Sequence, residues 1–212
     1  MTKKIAVLGG GIIGVVSAYF LKEKGFETTV LESATSVGCG TSFANGAQLS
    51  YSKTYPLSNL KTLGRLPSYL LSKNTPIHLK KFDLEFLSWG AKFVAECFNS
   101  SQNSKKVLDI ALGSREIMHA LVQQHEIDFD YTRTGKMFVF KNKADFAQSA
   151  RSANAYSQIG ISQKVLNAKQ AIELEPALAG VKDIAGVIYS EIDECGDAQK
   201  FTAGMAKIAA DA

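Results

Sequence analysis

Three glycines near the amino terminus, Gly9, Gly11 and Gly14, have the spacing G-x-G-x-x-G. In a turn from a strand into a helix, the first such glycine allows the tight turn and the second lets the backbone approach a pyrophosphate. The third lets the helix pack against the strand. Ile12 and Ile13 lie within this turn, where the first N–H groups of a helix point at bound phosphates. The spacing therefore predicts the pyrophosphate end of a dinucleotide site.

A carboxylate, Glu32, ends the second apolar run of the chain. In dinucleotide sites a carboxylate at such a position accepts hydrogen bonds from the ribose hydroxyls, and it disfavours a 2′-phosphate. A stretch of small and polar residues follows over 33–48, here called the polar loop. Its composition suits close backbone contact with a flat cofactor ring, and it is also compatible with a flexible connector.

The elements that would position these residues follow from hydrophobic patterning. Ile5–Leu8 is predicted as a buried strand of parallel type, Ile12–Lys24 as a helix, and Phe26–Leu31 as a second strand. A secretory signal is the alternative, because lysines precede the first apolar run. Glycines weaken an apolar helix of that kind, and no clean small-residue cleavage site follows, so the nucleotide-binding interpretation is favoured.

The composition is that of a globular protein, with 212 residues, 46% apolar and 21% charged. The net charge of +4 comes from scattered lysines, so we expect no nucleic-acid partner, whereas an anionic membrane surface remains an alternative. Three widely separated cysteines and three histidines show no metal-ligand spacing. We therefore expect no metal and a reducing, cytoplasmic compartment.

The middle of the chain is predicted to be largely helical. An aromatic stripe at helical spacing is interpreted as core packing, with a membrane-facing or partner-facing surface as the alternative. The stripe consists of Phe82, Phe86, Trp89, Phe93 and Cys97. A second helix, from about Val107 to Gln124, is predicted to direct Val107, Ala111, Met118, Leu121 and Val122 inward.

The last third predicts antiparallel strands and two capped helices. Residues 129–131 and 136–141 are predicted to pair as a hairpin, and Val187–Tyr189 to form another strand. Asn142 is expected to cap a helix that ends near Ile159, and Asp197 to cap the last helix. A doubly wound fold continues from a helix into a strand. We therefore expect the fold to be incomplete at the carboxyl terminus.

Five segments of the chain together resemble the flavin-dependent amine and amino-acid oxidoreductases, the D-amino acid oxidase-like flavoproteins. Within that family the resemblance is to the amino-terminal half of D-amino acid dehydrogenases. The segments are Val7–Val15, Val30–Glu32, Thr41–Ser50, Glu173–Leu178 and Asp193–Thr202. The first two occur in many nucleotide-binding proteins, and the other three are narrower.

The resemblance implies that FAD is the cofactor. It places Gly9, Gly11, Ile12, Ile13 and Gly14 at the pyrophosphate, Glu32 at the adenosine ribose, and Ser42, Asn45, Gly46 and Gln48 near the isoalloxazine ring. No catalytic residue can be assigned from it. Tyr131 and Arg133 are interpreted as structural, because the substrate-binding arginine of the relatives comes from a later part of the chain.

The implied fold is α/β, with a Rossmann-like FAD-binding parallel sheet and an inserted α+β substrate domain that carries antiparallel strands. Residues 1–50 would begin the FAD-binding domain, 51–190 would form a mostly helical excursion and part of the substrate domain, and 191–212 would return to the FAD-binding domain.

The implied activity is oxidative deamination of D-amino acids. Hydride passes from the substrate Cα to flavin N5, which gives a 2-oxo acid and ammonia after hydrolysis. In the dehydrogenase branch the electrons go on to a membrane quinone, so peripheral contact with the cytoplasmic face of a membrane is expected. The alternatives are a glycine or sarcosine-type amine oxidase, and a non-catalytic nucleotide-binding fragment that needs a second chain for the carboxyl-terminal half.

Overall fold

The computed structural model describes residues 2–60, 62–64, 83–158 and 160–211. The chain divides into two compact units, one formed by Met1–Ser52 with Ile117–Ala212 and the other by Lys53–Glu116. The helices are α1 (Ile12–Glu23), α2 (Leu84–Cys97), α3 (Ser100–Gln124), α4 (Lys143–Ser157), α5 (Ala168–Leu174) and α6 (Ala198–Asp211), with a 3-10 helix at Pro176–Gly180. The strands are β1 (Lys4–Leu8), β2 (Glu27–Leu31), β3 (Gln48–Leu49), β4 (Lys136–Phe140), β5 (Gln163–Leu166), β6 (Gly186–Ser190) and β7 (Glu194–Cys195).

The amino-terminal β1–α1–β2 unit forms as predicted. β1 and β2 pair in parallel, with Lys4 opposite Glu27 and Leu8 opposite Leu31. Helix α6 packs along α1, and the core between them is apolar because each helix turns one apolar face inward. The buried members of this core are Val15, Tyr19, Leu121, Phe129, Phe201 and Met205. This packing fixes the amino terminus of α1 next to the end of β1.

The two central helices differ in detail from the sequence expectation. Helix α3 begins at Ser100, seven residues before the predicted start, and Val107 is 43% exposed instead of buried. In α2, Cys97 is buried, whereas Trp89 is 58% exposed although its ring lies 5.3 Å from that of Phe93. The stripe prediction is therefore wrong for Trp89, and Phe82 lies outside the described residues.

The predicted hairpin is wrong. Strand β4 pairs antiparallel with β6, and β6 also pairs with β5, in the order β4-β6-β5. Residues 129–131 do not pair with β4, and instead the neighbouring Thr132 forms an isolated bridge with Cys195. β6 is the central strand, and it is buried at four of its five positions. A central strand needs a partner on both edges, which the local hairpin could not provide.

A small antiparallel sheet joins the end of the polar loop to the residues just before α6. Gln48 of β3 lies opposite Cys195 of β7, and Leu49 lies opposite Glu194. Thr132 extends this sheet through its two hydrogen bonds with Cys195, at 2.9 and 3.0 Å. In the described part of the chain, none of the helices is both long and apolar enough to span a bilayer.

Candidate cofactor site

The glycine turn joins β1 to α1 and has little room for side chains. Gly9 has φ +100°, a conformation that glycine adopts without strain, and its N–H donates to the carbonyl of Leu31 at 2.8 Å. A Cβ added at Gly14 would overlap the carbonyl oxygen of Gly9. At Gly11, by contrast, the nearest atom is the Ser42 Oγ at 3.7 Å. The turn is therefore tight beneath Gly14 and open above Gly11, which is the position where a ligand would approach the backbone.

The amino terminus of α1 has the features that suit an anion. Its N-cap residue, Gly11, provides no side chain to cap the helix, and the first turn carries no acidic residue. The N–H groups of a first turn have no acceptor within the helix, and the helix dipole gives this end partial positive charge. The hydroxyl of Ser42, a nearly buried side chain, accepts a hydrogen bond from the Ile12 N–H at 3.2 Å. Ile13, one position further on, is 79% exposed.

Glu32 lies at the end of β2 and binds the same turn. Its Oε2 accepts from the Gly10 N–H at 2.6 Å, and its Oε1 accepts from the Ala34 N–H at 2.8 Å. These bonds, chiefly those from Ala34 and Gly10, lower the pKa of the Glu32 carboxyl below its ordinary value. The carboxylate is thus ionised at neutral pH and exposed, so it can also accept hydrogen bonds from the hydroxyls of a ribose.

The polar loop is attached to the turn at its upstream end. The Gly38 N–H donates to the Gly10 carbonyl at 2.8 Å, in addition to the contact of Ser42 with Ile12. The structure therefore places Ser42 beside the first turn of α1. Three other residues for which ring contact is predicted, Asn45, Gly46 and Gln48, are exposed where the loop leads into β3. Their contact with a flavin ring stays a prediction.

Two consecutive carboxylates, Asp193 and Glu194, are almost completely buried at the downstream end of the loop, and sequence reasoning missed them. Glu194 accepts a hydrogen bond from the Tyr131 hydroxyl at 2.6 Å and lies 2.6 Å from the His119 Nε2. The Tyr51 hydroxyl donates to it at 3.4 Å. Burial, and after it the hydrogen bond to Glu194, raises the pKa of Tyr131 above its ordinary value.

Asp193 has its own set of donors. Its Oδ1 accepts from the Ser52 N–H at 2.8 Å, and its Oδ2 accepts from the Ser52 hydroxyl at 2.7 Å. The Lys136 ammonium lies 3.2 Å from Oδ2 and donates to the Ser50 hydroxyl at 2.5 Å. The two acidic residues in a row were a visible signal in the sequence, but their burial depends on partners far away in the chain.

Tyr131 and Arg133 are engaged with each other, which is compatible with the structural role expected for them. The Arg133 Nε donates to the Tyr131 hydroxyl at 3.0 Å, and its guanidinium lies 5.3 Å from the centre of the tyrosine ring. Among the described residues, no cluster of three or more His, Cys, Asp or Glu side chains could hold a metal ion.

The protein family described as FAD dependent oxidoreductase matches residues 4–212. The chain belongs to this family. The membership confirms the resemblance seen in the sequence and the predicted cofactor, FAD. The structure fits this cofactor, because the space above Gly11, the start of α1 with its side-chain-free N-cap Gly11, and the exposed carboxylate of Glu32 suit a pyrophosphate and a ribose.

Curated relatives match nearly the whole chain. D-amino acid dehydrogenase 2 of Ralstonia nicotianae is 34% identical over 207 residues, which are 95% of this chain and 49% of the relative. D-amino acid dehydrogenase of Paramagnetospirillum magneticum is 32% identical over 212 residues, or 98% of this chain and 50% of the relative. The chain thus spans about half the length of the curated relatives it matches.

A solved structure with the same fold is that of glycine oxidase from Geobacillus kaustophilus. The TM-score is 0.68 at 21% identity, and the match covers 99% of this chain and 45% of that one. At this identity the similarity concerns the fold, and it confirms the predicted α/β class.

Proposed function

We propose that this chain is the amino-terminal, cofactor-binding part of an FAD-dependent D-amino acid dehydrogenase. The observation that carries the proposal is the identity of 34% and 32%, over almost the whole chain, to relatives with that name. The chemistry that FAD supplies when bound is acceptance of the substrate Cα hydrogen as hydride, after which the imino acid is hydrolysed to a 2-oxo acid and ammonia.

The residues of the glycine turn would hold and orient the cofactor. The N–H groups at the start of α1 would bind the pyrophosphate, and the gap above Gly11 would let it approach the backbone. Ser42 was expected near the isoalloxazine ring, but because its hydroxyl accepts from the Ile12 N–H, it would contact the phosphates instead. Glu32 would bind the adenosine ribose, while Asn45, Gly46 and Gln48 would approach the isoalloxazine ring.

We also propose that β1 and β2 belong to a larger, Rossmann-like parallel sheet. One face of this pair is covered by α1, whereas Leu8 is 80% exposed and Leu31 is 52% exposed on the other face. Parallel sheets of this kind are covered on both faces. We propose that a further segment or a partner chain, equivalent to the second half of the relatives, covers this surface and completes the substrate pocket.

The proposed location is the cytoplasm, in peripheral contact with the cytoplasmic face of a membrane. Three free cysteines, Cys39, Cys97 and Cys195, favour a reducing compartment. Exposed apolar side chains at both ends of α2, Leu84 and Phe98, favour contact with another surface.

The test is a flavin-binding and turnover assay. The purified chain is examined alone and mixed with a polypeptide corresponding to the second half of a D-amino acid dehydrogenase. The visible flavin spectrum is recorded, together with dye reduction by D-alanine, L-alanine, glycine and sarcosine. Bound flavin, with turnover of D-alanine only in the mixture, is the expected result. Turnover of glycine or sarcosine instead would favour the amine oxidase alternative, and absence of flavin from both preparations would contradict the proposal.

A further inference from the structure

The downstream end of the polar loop is held by side chains that no motif assigned. The segment 47–52, here called the anchored segment, includes β3 and follows directly on the exposed stretch 43–46. The anchored segment contacts β7 and the residues on either side of β7, which are far away in the sequence. The Gly196 N–H donates to the Ala47 carbonyl at 2.9 Å, and β3 pairs with β7.

Beyond the end of β3, the anchored segment is held by side-chain contacts. Asp193 accepts both the backbone N–H and the hydroxyl of Ser52, at 2.8 and 2.7 Å. Lys136, whose side chain is 8% exposed, bridges the Asp193 carboxylate and the Ser50 hydroxyl. Asp193 therefore binds the end of the anchored segment through two charge-assisted hydrogen bonds, a strong class in a buried setting.

Glu194, the first residue of β7, also contacts the anchored segment. It accepts from Tyr51 at 3.4 Å, while the shorter contacts to Tyr131 and His119, both 2.6 Å, fix the carboxylate itself. A carboxylate buried to this degree, with 1% of the residue exposed, is costly to bury without such hydrogen-bond partners.

We infer that Asp193 and Glu194 are positioning residues of the cofactor site. They hold the anchored segment, and the anchored segment holds the exposed stretch 43–46 in the conformation that receives the flavin end of the cofactor. The upstream end of the loop is fixed independently, by Gly38 and Ser42 at the glycine turn. The inference rests on the proposed function, since it assigns the flavin end to this stretch.

The first test measures hydrogen exchange in the protein without cofactor. The variants are Asp193→Asn and Glu194→Gln, which keep the shape and remove the charge. The control is Glu191→Gln, which alters an exposed carboxylate in the same connection, paired with Lys164 at 2.6 Å. Peptides covering 43–52 should exchange at least about tenfold faster in both variants, with β1, α1 and β2 unchanged and the control like wild type.

Equal acceleration of all peptides, or no change over 43–52, would overturn the inference. Should the charge-neutral variants fail to fold, Ser52→Ala removes a single donor to Asp193 and should give the same local acceleration to a smaller degree. If hydrogen exchange in Ser52→Ala accelerates equally in all peptides, or does not change over 43–52, the inference is likewise overturned.

The second test compares two ligands that probe different ends of the site. ADP reaches the glycine turn and Glu32, whereas FAD also needs the flavin end. We expect the Kd for FAD to rise roughly tenfold in Asp193→Asn, while the Kd for ADP stays within about twofold. Equal weakening of both ligands would overturn the inference. If the wild-type chain binds neither ligand, alone or mixed with the second half, the proposed function fails, and hydrogen exchange alone then decides whether the two carboxylates hold the loop.

Discussion

The two ends of the polar loop are held by different physical means. Upstream, the glycine turn binds it through backbone groups and one small hydroxyl, with Gly38 on Gly10 and Ser42 on Ile12, which is 30 residues away. Downstream, Ser52 donates hydrogen bonds to Asp193, 141 residues away, and the Asp193 carboxylate also forms a buried ion pair with Lys136. The upstream end needs glycines, which have no side chain, whereas the downstream end needs a buried pair of charged side chains, Lys136 and Asp193.

This difference sets the expected cost of perturbation at each end. If a buried charge loses its partner, the free energy of unfolding falls because the desolvation of that charge is no longer compensated. In a turn packed closely around its backbone, the free energy of unfolding falls when a new side chain overlaps neighbouring atoms. The downstream end should therefore be the more sensitive to loss of a single group, and the upstream end to addition of one.

The largest effect is expected for Lys136→Met. The substitution keeps the length of the side chain but leaves the Asp193 carboxylate, which is 0% exposed, without its cation. We expect the free energy of unfolding to fall by about 3–5 kcal/mol, measured by urea denaturation.

Lys164→Met is the matched control, because it removes a lysine whose carboxylate partner, Glu191, is about half exposed. Its cost should be about 0–1 kcal/mol. Equal costs for the two lysine variants would mean that the downstream end gains nothing from the burial of its ion pair.

The next largest effect is expected for Gly14→Ala at the upstream end. The new Cβ would overlap the carbonyl oxygen of Gly9, a backbone atom that cannot move without distorting the turn. We expect a loss of about 3 kcal/mol in unfolding free energy, together with loss of FAD binding. Gly40→Ala, where a Cβ would meet nothing within 4 Å, should stay within about 0.5 kcal/mol of wild type. A Gly14→Ala protein as stable as the control would contradict the tight-turn geometry.

The sequence predicted the upstream end well because its determinants are local. The G-x-G-x-x-G spacing, the helix that starts at Ile12 and the strand that ends at Leu31 all lie within one β-α-β unit. The downstream end was not predictable in this way. No local pattern indicates that Asp193 is buried, because the partners of its carboxylate, Ser52 and Lys136, are far away in the sequence.

The wrong hairpin has the same cause. The residues of β4 form a short apolar run after Lys136, so the strand itself was predicted, but its partner was taken from the nearest extended residues. The observed partner, β6, places Lys136 opposite Ser190. Register between remote strands is set by which faces are buried in the finished fold, and one sequence does not contain that information locally. The catalytic residues were likewise not assigned, and none follows from the described contacts.

A smaller effect is expected for Ser42→Ala. The hydroxyl oxygen accepts the Ile12 N–H at 3.2 Å, and its loss leaves a first-turn donor of α1 without that acceptor. Loss of a capping hydroxyl costs about 1 kcal/mol of unfolding free energy, measured by thermal or urea denaturation. Ser152→Ala, which removes an exposed hydroxyl on α4, is the control and should change stability by less than about 0.5 kcal/mol. A cost equal to that of the control would show that the loop is not held at Ser42.

The smallest effect concerns the charge of Glu32, which the glycine turn stabilises through the N–H groups of Ala34 and Gly10. These bonds lower the pKa of Glu32 in the folded protein, so the folded state favours the carboxylate more than the unfolded state does. The stabilisation is therefore complete above the ordinary glutamate pKa of about 4.3 and is lost as pH falls through the lowered folded value. Glu32→Gln should have a lower Tm than wild type at pH 6, and the gap should close as the pH falls towards 3. A gap that is constant with pH would mean that the turn does not discriminate between the two protonation states. The upstream end would then rest on its glycines and on Ser42 alone.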